Sequence, residues 1–93
     1  MVVGVLHIEL SLASPTSLKE KRRILKGLMD RLRRRFNISI AEIDHQDSWR
    51  RASLAVACVS NQSNPVYQVL SQVMNIVERD GGVVVLDYTI ELR

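Results

Sequence analysis

The chain has 93 residues, of which 46% are hydrophobic and 25% charged, with a net charge of +3; this fits one domain, residues 1–93, and excludes disordered, fibrous and low-complexity classes. Its longest apolar run, residues 54–59, falls far short of the ~20 residues of a membrane span, and no basic segment precedes an apolar leader, so a cytoplasmic location is expected. One cysteine, Cys58, permits neither an internal disulfide nor a thiolate metal cluster.

Residues 2–13 alternate, with Leu6, Ile8, Leu10 and Leu12 on one side and Val5, His7, Glu9 and Ser11 on the other, which predicts a half-buried strand. Ser14-Pro15-Thr16 breaks it. Ser17 followed three residues later by Glu20 is a capping box, the mark of a helix start. From there Leu18, Leu25, Leu28, Met29, Leu32 and Phe36 form one apolar stripe, and the helix is expected to end near Phe36-Asn37. Residues 38–45 and 52–60 read as two strands joined by the polar stretch 46–51. In the first of them Ile38 and Ile40 share one parity while Ala41 and Ile43 share the other, a pattern that calls for a bulge or a two-sided edge. Asn64-Pro65 predicts a second helix start, continued by Val66, Val69, Leu70, Val73 and Val77 and stopped by a left-handed Gly81-Gly82. A last strand, residues 83–92, is expected to turn Val84, Leu86, Tyr88, Ile90 and Leu92 to the core.

The order strand, helix, strand, strand, helix, strand is that of a split βαβ, an α+β ferredoxin-like βαββαβ sandwich. Right-handed crossovers give an antiparallel four-stranded sheet of order 4-1-3-2 with both helices on one face. A different α+β topology built from the same elements is the alternative. A domain this small buries only roughly 60–65% of its unfolded surface, so a homo-oligomer is expected from size alone.

Charge is segregated. Residues 17–36 hold nine cations against Glu20 and Asp30, a net +7, and the rest of the chain is net −4. Lys19, Arg22, Arg23, Lys26, Arg33 and Arg34 fall on one flank of the first helix, a strip about 22 Å long that only Asp30 interrupts. Such a strip can lie along the phosphates of an RNA, or against an acidic protein or membrane surface; a solvated helix face is the plain alternative. Cations in the first helical turns oppose the helix dipole and need something to offset them. Lys21 falls in the apolar half, so its ammonium has to snorkel or meet a carboxylate at the helix–sheet junction.

The exposed parity of the sheet carries Val3, Val5, His7, Glu9 and Ser11, then Ser53, Ala55, Ala57 and Val59, joined by Val83, Val85, Asp87, Thr89 and Glu91, and displays no aromatic on its central strands, so base stacking is not expected there; this smooth, partly apolar face suits self-association. Glu42, Asp44, His45, Gln46 and Asp47 concentrate acid, base and ligand types at a strand end. Alternation would put Glu42 and Asp44 on one side and His45 on the other, which favours a polar turn over a metal site. Trp49 is expected as a core plug beneath this loop, with an exposed anchor as the alternative. Cys58 is expected as a buried thiol. No phosphate-cradling glycine loop or nucleophile elbow occurs, so a non-enzymatic protein without a cofactor is expected.

Ser17-Leu18-Lys19-Glu20-Lys21-Arg22-Arg23, with Ala41-Glu42-Ile43-Asp44-His45-Gln46-Asp47 ahead of Trp49-Arg50-Arg51-Ala52, closely resembles the YlxP-like family of small bacterial proteins. The resemblance covers essentially the whole chain. It implies a ferredoxin-like fold but no particular activity. Genes of that family often stand beside those of translation initiation factor two and ribosome-binding factor A, which implies ribosome assembly or translation by association alone. The motifs fall on Lys19, Glu20, Lys21, Arg22 and Arg23 and on Glu42, Asp44, His45, Gln46, Asp47 and Trp49. The leading expectation is a module that binds ribosomal or other structured RNA through the first helix. A protein-interaction or homo-oligomerisation module using the smooth sheet face stands second, and a small metal-assisted hydrolase using Asp44, His45 and Asp47 third.

Overall fold

In the computed structural model, which describes residues 1–93, the first alternating run is strand β1 (Val2–Ser11), and Leu6, Ile8 and Leu10 on its inner side have no exposed surface. Helix α1 (Leu18–Arg35) follows and lays Leu25, Leu28 and Leu32 on the same core. Strand β2 (Ser39–Asp44) and strand β3 (Arg51–Ser60) form the hairpin, helix α2 (Ser63–Arg79) returns across the sheet, and β4 (Val84–Leu92) closes the chain. All neighbouring strands are antiparallel, in the order β2-β3-β1-β4. This is the ferredoxin-like topology expected from the element order. β1 and β3, the most apolar strands, occupy the centre because only there is each strand flanked by a partner on both sides.

Helix α2 lies over β1, β3 and β4, while α1 lies over β2 and against α2. The approach of α2 to β1 depends on Gly4, where a Cβ would collide with Val66 Cγ1 and press on Leu70 Cδ1 at 2.9 Å. Cys58 is buried at the margin of this core.

Three local expectations are corrected. Helix α2 begins at Ser63 with Gln62 as an extended N-cap that makes no side-chain bond, so Asn64 is not the cap and Pro65 lies inside the first turn. The helix ends at an extended Asp80, and neither Gly81 nor Gly82 adopts a left-handed conformation. Gly82 serves instead as a close-packing point, since a Cβ there would come within 3.2 Å of Ile24. In β4 the register against β1 shifts between Val85 and Asp87, leaving Leu86 unpaired. That bulge reverses the parity: Val85 and Val83 turn inward, and Val84 is 58% exposed. β2 is both an edge strand and bulged, at Ile43, so the two alternatives for its mixed parity hold together.

Candidate functional site

The start of α1 is fixed by its cap. Ser17 is extended, and its Oγ accepts from the Glu20 N–H at 3.1 Å. The Glu20 carboxylate turns back to Thr16, accepting from its N–H at 2.6 Å and from its hydroxyl at 2.9 Å. These bonds from Thr16, backbone first, with Arg23 nearby, hold the Glu20 carboxyl below its ordinary pKa.

Beyond the cap, Lys19, Arg22, Arg23, Lys26, Arg33 and Arg34 are all exposed. They do not form one uniform strip. Asp30 takes Lys26 at 2.7 Å and Arg33 at 3.2 Å, and Arg33 also donates to the Ile40 carbonyl at 2.9 Å. The Lys26 hydrogen bond, together with the two cations, depresses the Asp30 carboxyl pKa. Arg31 pairs with Asp80 at 2.8 Å across the α2 terminus. Lys19, Arg22, Arg23 and Arg34 make no ion pair. With Glu20 and Lys26, the first three border a shallow depression along the first two turns.

On the opposite side of α1, Lys21 is fully buried. Its ammonium meets Glu42 Oε2 at 2.8 Å and donates to the His45 carbonyl at 2.6 Å. Glu42 shares the inner parity of buried Ile40, and the bulge at Ile43 reverses the alternation only beyond it. Glu42 opposes Leu54 and faces the helix, whereas Asp44 opposes Ser53 and lies on the outer face. Glu42 and Asp44 therefore sit on opposite sides of the sheet, not on the same side as strict alternation would have it. His45 itself has φ 62°, in the left-handed region that few residues with a Cβ adopt. Its backbone is held there by Asp44 Oδ1, which accepts from its N–H at 2.8 Å, and by Lys21 and Ser48, which donate to its carbonyl, Ser48 at 3.0 Å.

Both motifs that carried the family resemblance thus meet at one junction, Lys21 from the first and Glu42 and His45 from the second. Residues 3–90 match the family described as "Protein of unknown function (DUF503)". The chain belongs to this family. A relative, "Uncharacterized protein YlxP" of Bacillus subtilis (strain 168), is 35% identical over 77 residues, covering 83% of this chain and 84% of that one. Among solved structures, the DUF503 chain is similar to the de novo designed protein Foldit4, at TM-score 0.56 and 8% identity over 100% of this chain and 97% of the other. It is similar also to the designed protein LFR1 1 with ferredoxin fold, at TM-score 0.56 and 13% identity over 100% and 86% of the two chains. These designs share the fold and bear on nothing further.

In this DUF503 chain the outer sheet face carries a cluster that periodicity did not single out. Ser53, 1% exposed, donates to both Glu9 oxygens, at 2.6 and 2.7 Å. His7 Nε2 lies 3.1 Å from Glu9 Oε1, and His45 Nε2 and Arg51 each lie 3.8 Å from Oε2. Across β4, Asp87 stands directly opposite Glu9. A row Asp87, Glu9, Ser53, Asp44 therefore crosses one end of a face expected to be smooth; Val3, Val5, Ala55, Ala57 and Val59 hold the apolar character at the other end. No three His, Cys, Asp or Glu side chains gather closely enough to hold a metal ion. Asp44, His45 and Asp47 do not converge, since Asp44 bonds the next backbone N–H, His45 turns to Glu9, and Asp47 and Gln46 point to solvent. Trp49 is 47% exposed and is no core plug, because the loop closes on Lys21 and leaves the indole at the surface. Glu9, Ser53 and Arg51 escaped a one-dimensional reading because their link to His45 exists only through strand pairing.

Proposed function

We propose that this protein binds structured RNA, ribosomal or other, through the exposed face of α1. The observation that carries the reading is the set Lys19, Arg22, Arg23 and Arg34, exposed on one helix face and in no ion pair with a carboxylate of the chain. Cations so placed gain by meeting phosphates, since each phosphate neutralised releases condensed counterions. Binding of this kind reads charge and shape, because the helix offers no aromatic to stack on a base. The buried Lys21 and the Thr16–Glu20 cap support it by fixing the helix start.

Fluorescence anisotropy of a labelled RNA hairpin at two salt concentrations tests the reading. If each of the four free cations neutralises one phosphate, affinity falls roughly 50- to 150-fold between about 50 and 200 mM salt. Arg22→Gln, Arg23→Gln and Arg34→Gln each weaken binding more than Lys26→Gln or Arg33→Gln, whose charges Asp30 already engages. Binding that ignores salt, or an equal effect from all five variants, contradicts the reading.

A further inference from the structure

Two strand edges of the sheet are free, and they are unlike. The β2 edge is six residues long, broken by the bulge at Ile43, and carries Glu42 and Asp44, devices that block pairing with another strand. The β4 edge is nine residues long and has neither lysine nor proline; it too carries a bulge, at Leu86, and two carboxylates, Asp87 and Glu91, but from Asp87 to Leu92 its register is unbroken. Val3 and Arg93 exchange both backbone hydrogen bonds, at 2.8 and 2.7 Å. Antiparallel alternation then directs the N–H and C=O groups of Thr89 and Glu91 at β1, and those of Tyr88, Ile90 and Leu92 at the open edge. Consistent with that, the Tyr88 N–H has no strand acceptor and donates to its neighbour Asp87 Oδ1 at 2.9 Å. On the helix side of this edge, Tyr88 is 48% exposed and Ile90 and Leu92 are only partly buried against the core, so the core comes to the margin unfinished.

We propose that the β4 edge pairs antiparallel with the β4 edge of a second copy of this chain, with Ile90 on the two-fold axis. Charge selects both the occupant and the register. Centred on Ile90, the pairing sets Tyr88 opposite Leu92 and Thr89 opposite Glu91. It sets Asp87 of each copy opposite Arg93 of the other, two unlike pairs that no neighbouring register provides. Centring on Thr89 sets Asp87 against Glu91 twice; centring on Glu91 sets that carboxylate against itself; centring on Tyr88 draws the Leu86 bulge into the ladder. Arg93 is available for the exchange, since its present bond to Glu91, 2.9 Å long, is exposed. Residues directly opposite each other share a face, so the two-fold stands perpendicular to the sheet. The product is one eight-stranded sheet with all helices on one side, Tyr88, Ile90 and Leu92 packed on their counterparts, and the two α1 helices toward its far ends.

Sedimentation equilibrium of the full chain, with far-UV circular dichroism to confirm folding, decides the matter. The wild type is expected to dimerise. Asp87→Arg and Arg93→Asp each turn two attractive pairs into repulsive ones and weaken the dimer at least about 10-fold, and the double variant regains affinity with the charges exchanged. Ile90→Pro removes an N–H that points at the open edge, costs no bond to β1, and yields a monomer; should it not fold, the charge exchange decides alone. A wild type that remains monomeric at about 0.5 mM, well above the dissociation constant of even a weak specific dimer, overturns the proposal. So does a dimer indifferent to both charge reversals, which would be held elsewhere, for instance across the open sheet face.

Discussion

A lysine with no exposed surface has to satisfy its ammonium within the molecule, and Lys21 does so with Glu42 at 2.8 Å and the His45 carbonyl at 2.6 Å. Removing one partner of such a pair leaves the other charge in poor solvent, whereas removing both can be nearly neutral. Lys21→Ala is therefore expected to cost about 3 kcal/mol in urea unfolding, the low end for buried pairs, because the Glu42 side chain keeps 18% of its exposure. Lys21→Met combined with Glu42→Leu should recover most of that loss, and a Lys21→Ala variant as stable as wild type would show that the pair holds nothing together. The helical wheel located Lys21 in the apolar half of α1. Its partners were illegible, because Glu42 and His45 lie more than twenty residues away in sequence, and the unpaired residue at Ile43 reverses the alternation between the two. The left-handed φ of His45 has no marker in sequence, since glycine is the usual occupant of that conformation.

At the scale of elements, periodicity served wherever a segment packs along one side, as β1, α1 and α2 do, and it failed where register slips. Leu86 in β4 and Ile43 in β2 are extra residues in a ladder, and what reveals a bulge is the partner strand. The capping box of α1 was legible because its four residues are contiguous in sequence, although Glu20 bonds Thr16 rather than Ser17. This cap gives α1 an acid-sensitive start. The Glu20 and Asp30 carboxyls both have pKa values depressed in the folded state, Glu20 chiefly by the Thr16 N–H and Asp30 chiefly by Lys26. A group depressed on folding contributes stability that is complete above the unfolded carboxylate pKa of about 4 and is lost as pH falls through the lower, folded value. Thermal unfolding followed by circular dichroism should accordingly weaken below about pH 4. In Glu20→Gln the melting temperature should be lower at neutral pH and its decline with acid shallower. An unchanged acid slope in that variant would mean the cap carries none of the pH dependence.

For the molecule as a whole, the separation of a +7 segment, residues 17–36, from a −4 remainder makes salt act on folding and on binding with opposite signs. Lys19, Arg22 and Arg23 are neighbours at helical spacing, exposed, unpaired, and set at the positive end of the helix dipole, where each cation costs about 0.3–1 kcal/mol at low ionic strength. The acidic row Asp87, Glu9, Asp44 lies on the face of the sheet turned away from α1, and ordinary salt screens attraction between exposed charges beyond a Debye length of about 10 Å. Screening therefore relieves repulsion within the helix more than it removes attraction to the sheet. Raising sodium chloride from about 20 to 300 mM should lift the melting temperature of the free protein by roughly 3–6 °C, the equivalent of about 0.5–1 kcal/mol in a domain of this size. The same change should abolish the stabilisation that an RNA hairpin confers at low salt, because bound phosphates and free salt compete for one set of cations. Arg22→Gln with Arg23→Gln should raise the low-salt melting temperature and flatten its salt dependence while lowering affinity for RNA. A melting temperature that falls as salt rises would mean that α1 is held by its charges rather than strained by them, and would leave those cations no reason to seek a polyanion.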